Sequence, residues 1–131
     1  MAWPPGKHIE KVILRAKEYL KEVKITRKDC SQSRAIINLE GKYGENRIII
    51  SEIHRQDGSV RYAYYCLDHN NNLICGFDNS PDIKAIKKQF QNDWKSHVHE
   101  NIPHKHSSNN SGIELTQFIT LEKFIKLMLI T

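Results

Sequence analysis

Four of the chain's seven histidines, His97, His99, His104 and His106, fall within one ten-residue stretch. Imidazole titrates closest to neutrality of all side chains, so it can accept a proton, donate one or bind a metal. Two chemistries suit such a cluster. In metal-free cleavage of a phosphodiester, one group takes the ribose 2′-hydroxyl proton, another protonates the leaving oxygen, and a cation offsets charge on the phosphorane. His104 and His106 are candidates for base and acid, because residues two apart on an extended segment point the same way. In a metal site, the two His-x-His pairs would supply imidazoles beside Glu100, Asp78 or Asp82, yet their spacing matches no standard zinc motif. We therefore assign neither metal nor cofactor to the cluster. A third reading is a solvated loop, since Pro103 and the polar run from Ser107 to Gly112 both signal irregular backbone.

Several other residues could complete a site. Lys105, Arg61 or Arg55 could supply the cation, and Asp78 could orient a histidine. Tyr62 and Tyr64 share one face of a predicted strand, where they either stack a base or pack under a helix. Lys87 and Lys88, with Lys84 and Lys95, either form a footprint for a phosphate backbone or simply solvate a helix. Asn79 reads as part of a capping turn.

The elements that must position these groups can be read from periodicity. Ile9, Val12, Ile13, Ala16, Tyr19, Leu20 and Val23 recur at helical spacing, which predicts an amphipathic helix over about residues 7 to 23. Four strands follow, Arg34 to Glu40, Arg47 to His54, Ser59 to Leu67 and Leu73 to Phe77, rich in β-branched or alternating residues. Gly41 to Asn46, Asp57-Gly58 and Asp68 to Asn72 are the turns between them. Asp78 to Asp82 ends the sheet, and Ile83, Ile86, Phe90 and Trp94 mark one face of a lysine-rich helix. Thr120 is the expected N-cap of a last helix that buries Leu121, Phe124, Ile125 and Met128. The expected fold is α+β: an N-terminal helix, a four-stranded antiparallel meander, and C-terminal helices packed on one face, in a single domain of residues 1–131.

Composition narrows the class. A net charge of +5 and a pI near 9.1 favour a polyanionic partner, with RNA the usual one, or an acidic protein. No apolar run approaches the length of about 20 residues that spans a bilayer, and Met1 to Gly6 lacks the pattern of a secretion signal. A cytoplasmic protein without a membrane partner is expected. Cys30, Cys66 and Cys75 are odd in number and show no C-x-x-C spacing, although Cys66 and Cys75 could meet across a hairpin.

Five short motifs occur in a telling order: Tyr62-Ala63-Tyr64, Asn70-Asn71-Asn72-Leu73-Ile74, Asp78-Asn79-Ser80-Pro81, Pro103-His104-Lys105-His106 and Thr120-Leu121-Glu122. In that order the chain resembles the TumE-type family of small toxin-antitoxin toxins. That family has histidine directly after the proline of Asp-Asn-x-Pro, where this chain has Asp82-Ile83 and then some twenty residues before Pro103. The resemblance implies a toxin neutralised by a helix-turn-helix antitoxin, with RNA or translation as target, and it bears most directly on His104, Lys105 and His106. Combined with the residue chemistry, it leads us to expect a metal-independent endoribonuclease. Two other classes fit the same residues: a non-catalytic protein-interaction module and a His-rich metal-binding protein.

Overall fold

The computed structural model describes residues 5–107 and 112–130. The expected N-terminal stretch before Pro5 and the polar run 108–111 therefore lie outside the described residues. The chain runs α1 (Pro5–Tyr19), β1 (Lys21–Cys30), β2 (Arg34–Tyr43), β3 (Asn46–Arg55), β4 (Val60–Leu67) and β5 (Leu73–Asp78). It continues with α2 (Ile83–Phe90), a 3-10 helix (Gln91–His97), β6 (His104–Ser107), β7 (Ile113–Leu115) and α3 (Leu121–Ile130). The seven strands form one antiparallel sheet whose spatial order is the sequence order. The α+β class is as expected, but the sheet has seven strands rather than four.

Each departure has a local cause. The first helix stops at Tyr19 instead of reaching Val23, because Leu20 turns into the core and Glu22 adopts a left-handed φ of 53°. The next ten residues, Lys21–Cys30, form an edge strand that is almost wholly exposed. Its three lysines and Arg27 blunt an edge that would otherwise recruit another strand, and they also erase the alternation by which a half-buried strand is recognised. The turn expected from Gly41 to Asn46 is tighter: β2 continues to Tyr43, and Gly44-Glu45 alone make the hairpin. Gly58, with φ at 90°, supplies the left-handed residue that the Asp57-Gly58 signal requires.

The two faces of the sheet carry different layers. On one, α1 and α3 pack on Ile37, Leu39, Ile48, Ile50, Tyr62, Tyr64 and Phe77. Phe124 is fully buried there, its ring 5.4 Å from Tyr64 and 5.9 Å from Phe77. Burying such a side chain contributes about 1.5–3 kcal/mol. Thr120 caps α3 as expected, its Oγ1 accepting from Lys123 N–H at 3.2 Å. On the opposite face, α2 sets Ala85 and Ile86 against Ile102 and Ile113. The C-terminal helices thus lie on both faces, not one. Trp94 belongs to the 3-10 helix rather than to the apolar face of α2, and Ile83 is exposed.

Candidate functional site

The site begins with register. Asp78 at the end of β5 is the direct partner of His104 on β6, and Gly76 is the partner of both His106 and, on the other side, Tyr65. Alternation then puts Asp78, His104, His106 and Tyr65 on the α2 face of the sheet. Gly76 is needed for their approach. A Cβ there would lie 2.3 Å from the Tyr65 ring, which crosses over it to reach Asp78.

Asp78 is the hub. Tyr65 Oη donates to its Oδ2 at 2.6 Å, while the Ser80 amide and hydroxyl donate to Oδ1 at 3.0 and 2.6 Å. His106 Nε2–H donates to Oδ2 at 3.2 Å, and His104 Nε2 stands 3.2 Å from Oδ1. Burial pushes the Asp78 carboxyl up, but the His104, Ser80 and Tyr65 partners outweigh it and hold the group well below the ordinary carboxylate range. Burial works the other way on His104 and lowers it; Asp78 and the Ile102 carbonyl prevail, and the imidazole ends above its ordinary value. Burial together with Asp78 pushes the Tyr65 hydroxyl up, so it is a donor at neutral pH.

The two histidines differ in access. His104 is 1% exposed, whereas the His106 side chain is 23% exposed. His104 Nδ1–H donates to the Ile102 carbonyl at 2.6 Å, which turns Nε2 inward toward the carboxylate. That Nε2 is close to Asp78 yet off the angle of a hydrogen bond, so it is a buried polar atom without a hydrogen-bond partner. Asp78, His104 and His106 together have ligand-type atoms all within 4.8 Å of one another, a set that could hold a metal ion.

The loop reading of the histidine stretch holds for only part of it. His104 and His106 are strand residues, one of them in the core. His97 stays apart from them: its ring stacks on Phe90 at 3.6 Å and its nitrogens face Asp93 and Glu100. His99 is exposed after the 3-10 helix.

Other expected site residues scatter. Arg61 is on the same face as the cluster, and its Nη2 donates to Asn101 Oδ1 at 3.2 Å, just before Ile102. Arg55 ends β3, exposed, on that face. Lys105 cannot serve His104 and His106, because it lies between them on β6 and projects to the other face, its Nζ 5.6 Å from the Phe77 ring centre. Tyr62 and Tyr64 cannot stack a base: both are core residues on the α3 face, 1% and 2% exposed. Tyr62 Oη accepts from Ile119 N–H, and Tyr64 Oη donates to Glu52. Lys88 is exposed on α2 and Lys87 lies over the Trp94 ring at 4.6 Å. Asn79 does not cap α2; Asp82 does, accepting from Ala85 N–H at 3.1 Å. Asn79 instead extends the sheet with its side chain, accepting from Tyr62 N–H and donating to Val60 O, both at 2.8 Å.

Sequence reasoning passed over Tyr65 and Ser80, although alternation along β4 places Tyr65 with Arg61 and the spacing Asp78-x-Ser80 is that of a side-chain turn. No curated protein and no solved structure matches the chain. A family model described as Toxin TumE matches residues 9–128, a span running from α1 to α3 and containing Tyr65, Asp78, Ser80, His104 and His106. With nearly the whole fold inside the match, the chain belongs to the TumE toxin family.

Proposed function

We propose that this toxin acts on RNA as a metal-independent endoribonuclease and is neutralised by a helix-turn-helix antitoxin. One observation carries the reading: a buried carboxylate, held down by Tyr65 and Ser80, fixes a partly exposed imidazole at the surface. His106 is the catalytic residue in this scheme. It takes the proton from a ribose 2′-oxygen as that oxygen bonds to phosphorus, then returns it to the departing 5′-oxygen as the P–O5′ bond breaks. The products are a 2′,3′-cyclic phosphate and a 5′-hydroxyl, with no net proton change. Arg61 offsets the phosphorane charge. His104 and Asp78 are positioning residues, since neither presents surface to a strand of RNA.

The test expresses the chain without its antitoxin and follows growth arrest and RNA cleavage together. His106→Asn should abolish both, and Arg61→Gln should lower cleavage by at least about tenfold, roughly 1.4 kcal/mol of transition-state stabilisation. Unchanged toxicity and cleavage in a folded His106→Asn protein overturns the scheme. Tight antitoxin binding without any RNA binding or cleavage favours the non-catalytic interaction module instead.

A second reading has its own support in His104 Nε2, which is buried without a hydrogen-bond partner. The 3.2 Å separations between the Asp78 oxygens and the two Nε2 atoms are close to the ligand spacing of a tetrahedral zinc site, about 3.3 Å for bonds of about 2.0–2.1 Å. The Nδ1–H to Ile102 bond is the kind of support that orients a ligating histidine. Elemental analysis of tag-free protein purified without nickel decides between them. One equivalent of metal, lost in His104→Gln, replaces the metal-free scheme; substoichiometric metal removes the alternative.

A further inference from the structure

On the far side of the sheet from Asp78, the first turns of α1, the end of β3 and the entry to α3 enclose an open cavity of about 360 Å3. That size falls within the range of about 300–1,000 Å3 typical of small-ligand pockets. Its wall is a chain of titratable groups. Glu52 is buried, yet both its oxygens are used: His54 Nε2–H donates to Oε1 and Tyr64 Oη donates to Oε2, each at 2.7 Å. With Nε2 committed to the carboxylate, His54 keeps Nδ1 for another partner. The His8 ring stacks on His54 at 4.5 Å, tilted by 16°.

The rim is basic. His8, Lys11 and Arg15 follow one another at helical spacing, so α1 offers them on a single face. Arg15 is matched by Glu18 and Glu122, which pin its guanidinium in place. Lys11 forms no ion pair among the described residues. At the mouth lies Phe118, 53% exposed, its inner edge against the Tyr62 ring at 4.9 Å. An exposed aromatic ring beside a lysine and paired imidazoles combines a stacking platform with a cation and hydrogen-bonding groups for a phosphate.

We propose that this pocket binds a nucleotide, with its phosphate between Lys11 and His8 and its base on Phe118. The shared chemistry, one base and one phosphate, belongs both to a free mononucleotide and to one residue of a single-stranded RNA. The site does not depend on cleavage at His106, because it opens on the opposite face of the sheet and its test reads binding alone. Burial, His54 and Lys11 hold His8 below its ordinary value against the pull of Glu52. A bound phosphate adds a negative charge beside it and should raise it, which gives the test a direct signal.

The experiment follows the histidine ring proton resonances of the full chain by NMR, titrating adenosine monophosphate, adenosine, inorganic phosphate and a 2′-O-methylated single-stranded oligoribonucleotide. Adenosine monophosphate should move the His8 and His54 signals, leave His104 in place, and bind at least about tenfold more tightly than adenosine or phosphate. Lys11→Ala and Phe118→Ala, both at exposed positions, should each weaken it by about tenfold. Tighter binding by the oligoribonucleotide identifies an RNA strand as the source, and tighter binding by the mononucleotide identifies a free nucleotide. The proposal is overturned if no probe moves His8 and His54, if adenosine or phosphate alone binds as well as the nucleotide, or if both variants bind unchanged.

Discussion

Replacing Asp78 by Asn leaves the volume of the hub intact and removes its charge. The carboxylate takes hydrogen bonds from Tyr65, Ser80 and His106 and faces a buried His104. The His104 value is raised on folding, so its pairing contributes fully below its unfolded value near 6.5 and is lost as pH rises through the folded value. Asp78 is lowered, so its contribution is present above 3.8 and is lost as pH falls through the folded value. At pH 5.5 both are charged, and Asp78→Asn strips the partner from a buried cation. Breaking a buried pair in this way costs about 3–5 kcal/mol; the amide still accepts one or two of the hydrogen bonds, so about 3 kcal/mol is expected. As pH rises through the raised His104 value the imidazole sheds its proton, and the loss should shrink to about 1–2 kcal/mol, the cost of weakened hydrogen bonds. Urea unfolding of both proteins at a series of pH values from 5.5 upward measures the difference. His97, which is also raised by its carboxylate neighbours, is common to both proteins and cancels. A loss that stays the same from pH 5.5 up to the highest pH at which both proteins remain folded would refute the coupling between Asp78 and His104. Repeating the pair in a His104→Gln background should remove the part of the pH dependence that His104 carries, leaving only what His106 contributes through its own bond to Asp78.

Three further outcomes follow from side chains around the sheet. Lys105→Ala should leave RNA cleavage within about twofold of the parent, because Lys105 projects over Phe77 on the opposite face; a loss as large as that of Arg61→Gln would show that the strand alternation misassigns the cation. Asn79→Ala should cost about 2–4 kcal/mol by equilibrium denaturation, since it strands the Tyr62 amide and the Val60 carbonyl together; a loss below about 1 kcal/mol argues that water replaces the side chain. Gly76→Ala should destabilise by about 1–3 kcal/mol and detach Tyr65 from Asp78, read as a fall in the Tyr65 hydroxyl pKa toward that of an ordinary phenol.

Much of the fold was legible because half-buried elements announce their period. The meander from β2 to β5, the hairpin at Gly58 and the Thr120 cap were all readable, since each pairs an apolar repeat with turn or cap chemistry. β1 was not, because an exposed edge strand has no apolar face to repeat, and the helical spacing of Leu20 and Val23 ran straight over it. β7, three residues long, is too short to show a period. Asn79 was hidden for a different reason: the residue type that favours capping turns can also continue a ladder, and only the neighbouring strand decides which.

The candidate site turns on the same period of two. Applied to β6, it predicts that His104 and His106 converge, and they do, on Asp78. Applied with equal strictness, it removes Lys105 from their face and leaves Arg61 and Arg55, of the candidate cations, on the cluster's side. Carried along β3, it says more. Ile48 and Ile50 face the core, so Glu52 and His54 must occupy the next two core-facing positions. A carboxylate at such a position is costly unless something satisfies it. The sequence therefore carries a signal for a second cluster, an acid and an imidazole on the buried parity of a strand, which the reading of spacings and motifs passed over. No spacing rule could have added His8, because 46 residues separate it from His54 and only the packing of α1 on the sheet brings the two rings together. A polar residue on core parity is thus the more general pointer: it marks where the fold must supply partners, and here the partners it supplies line a cavity.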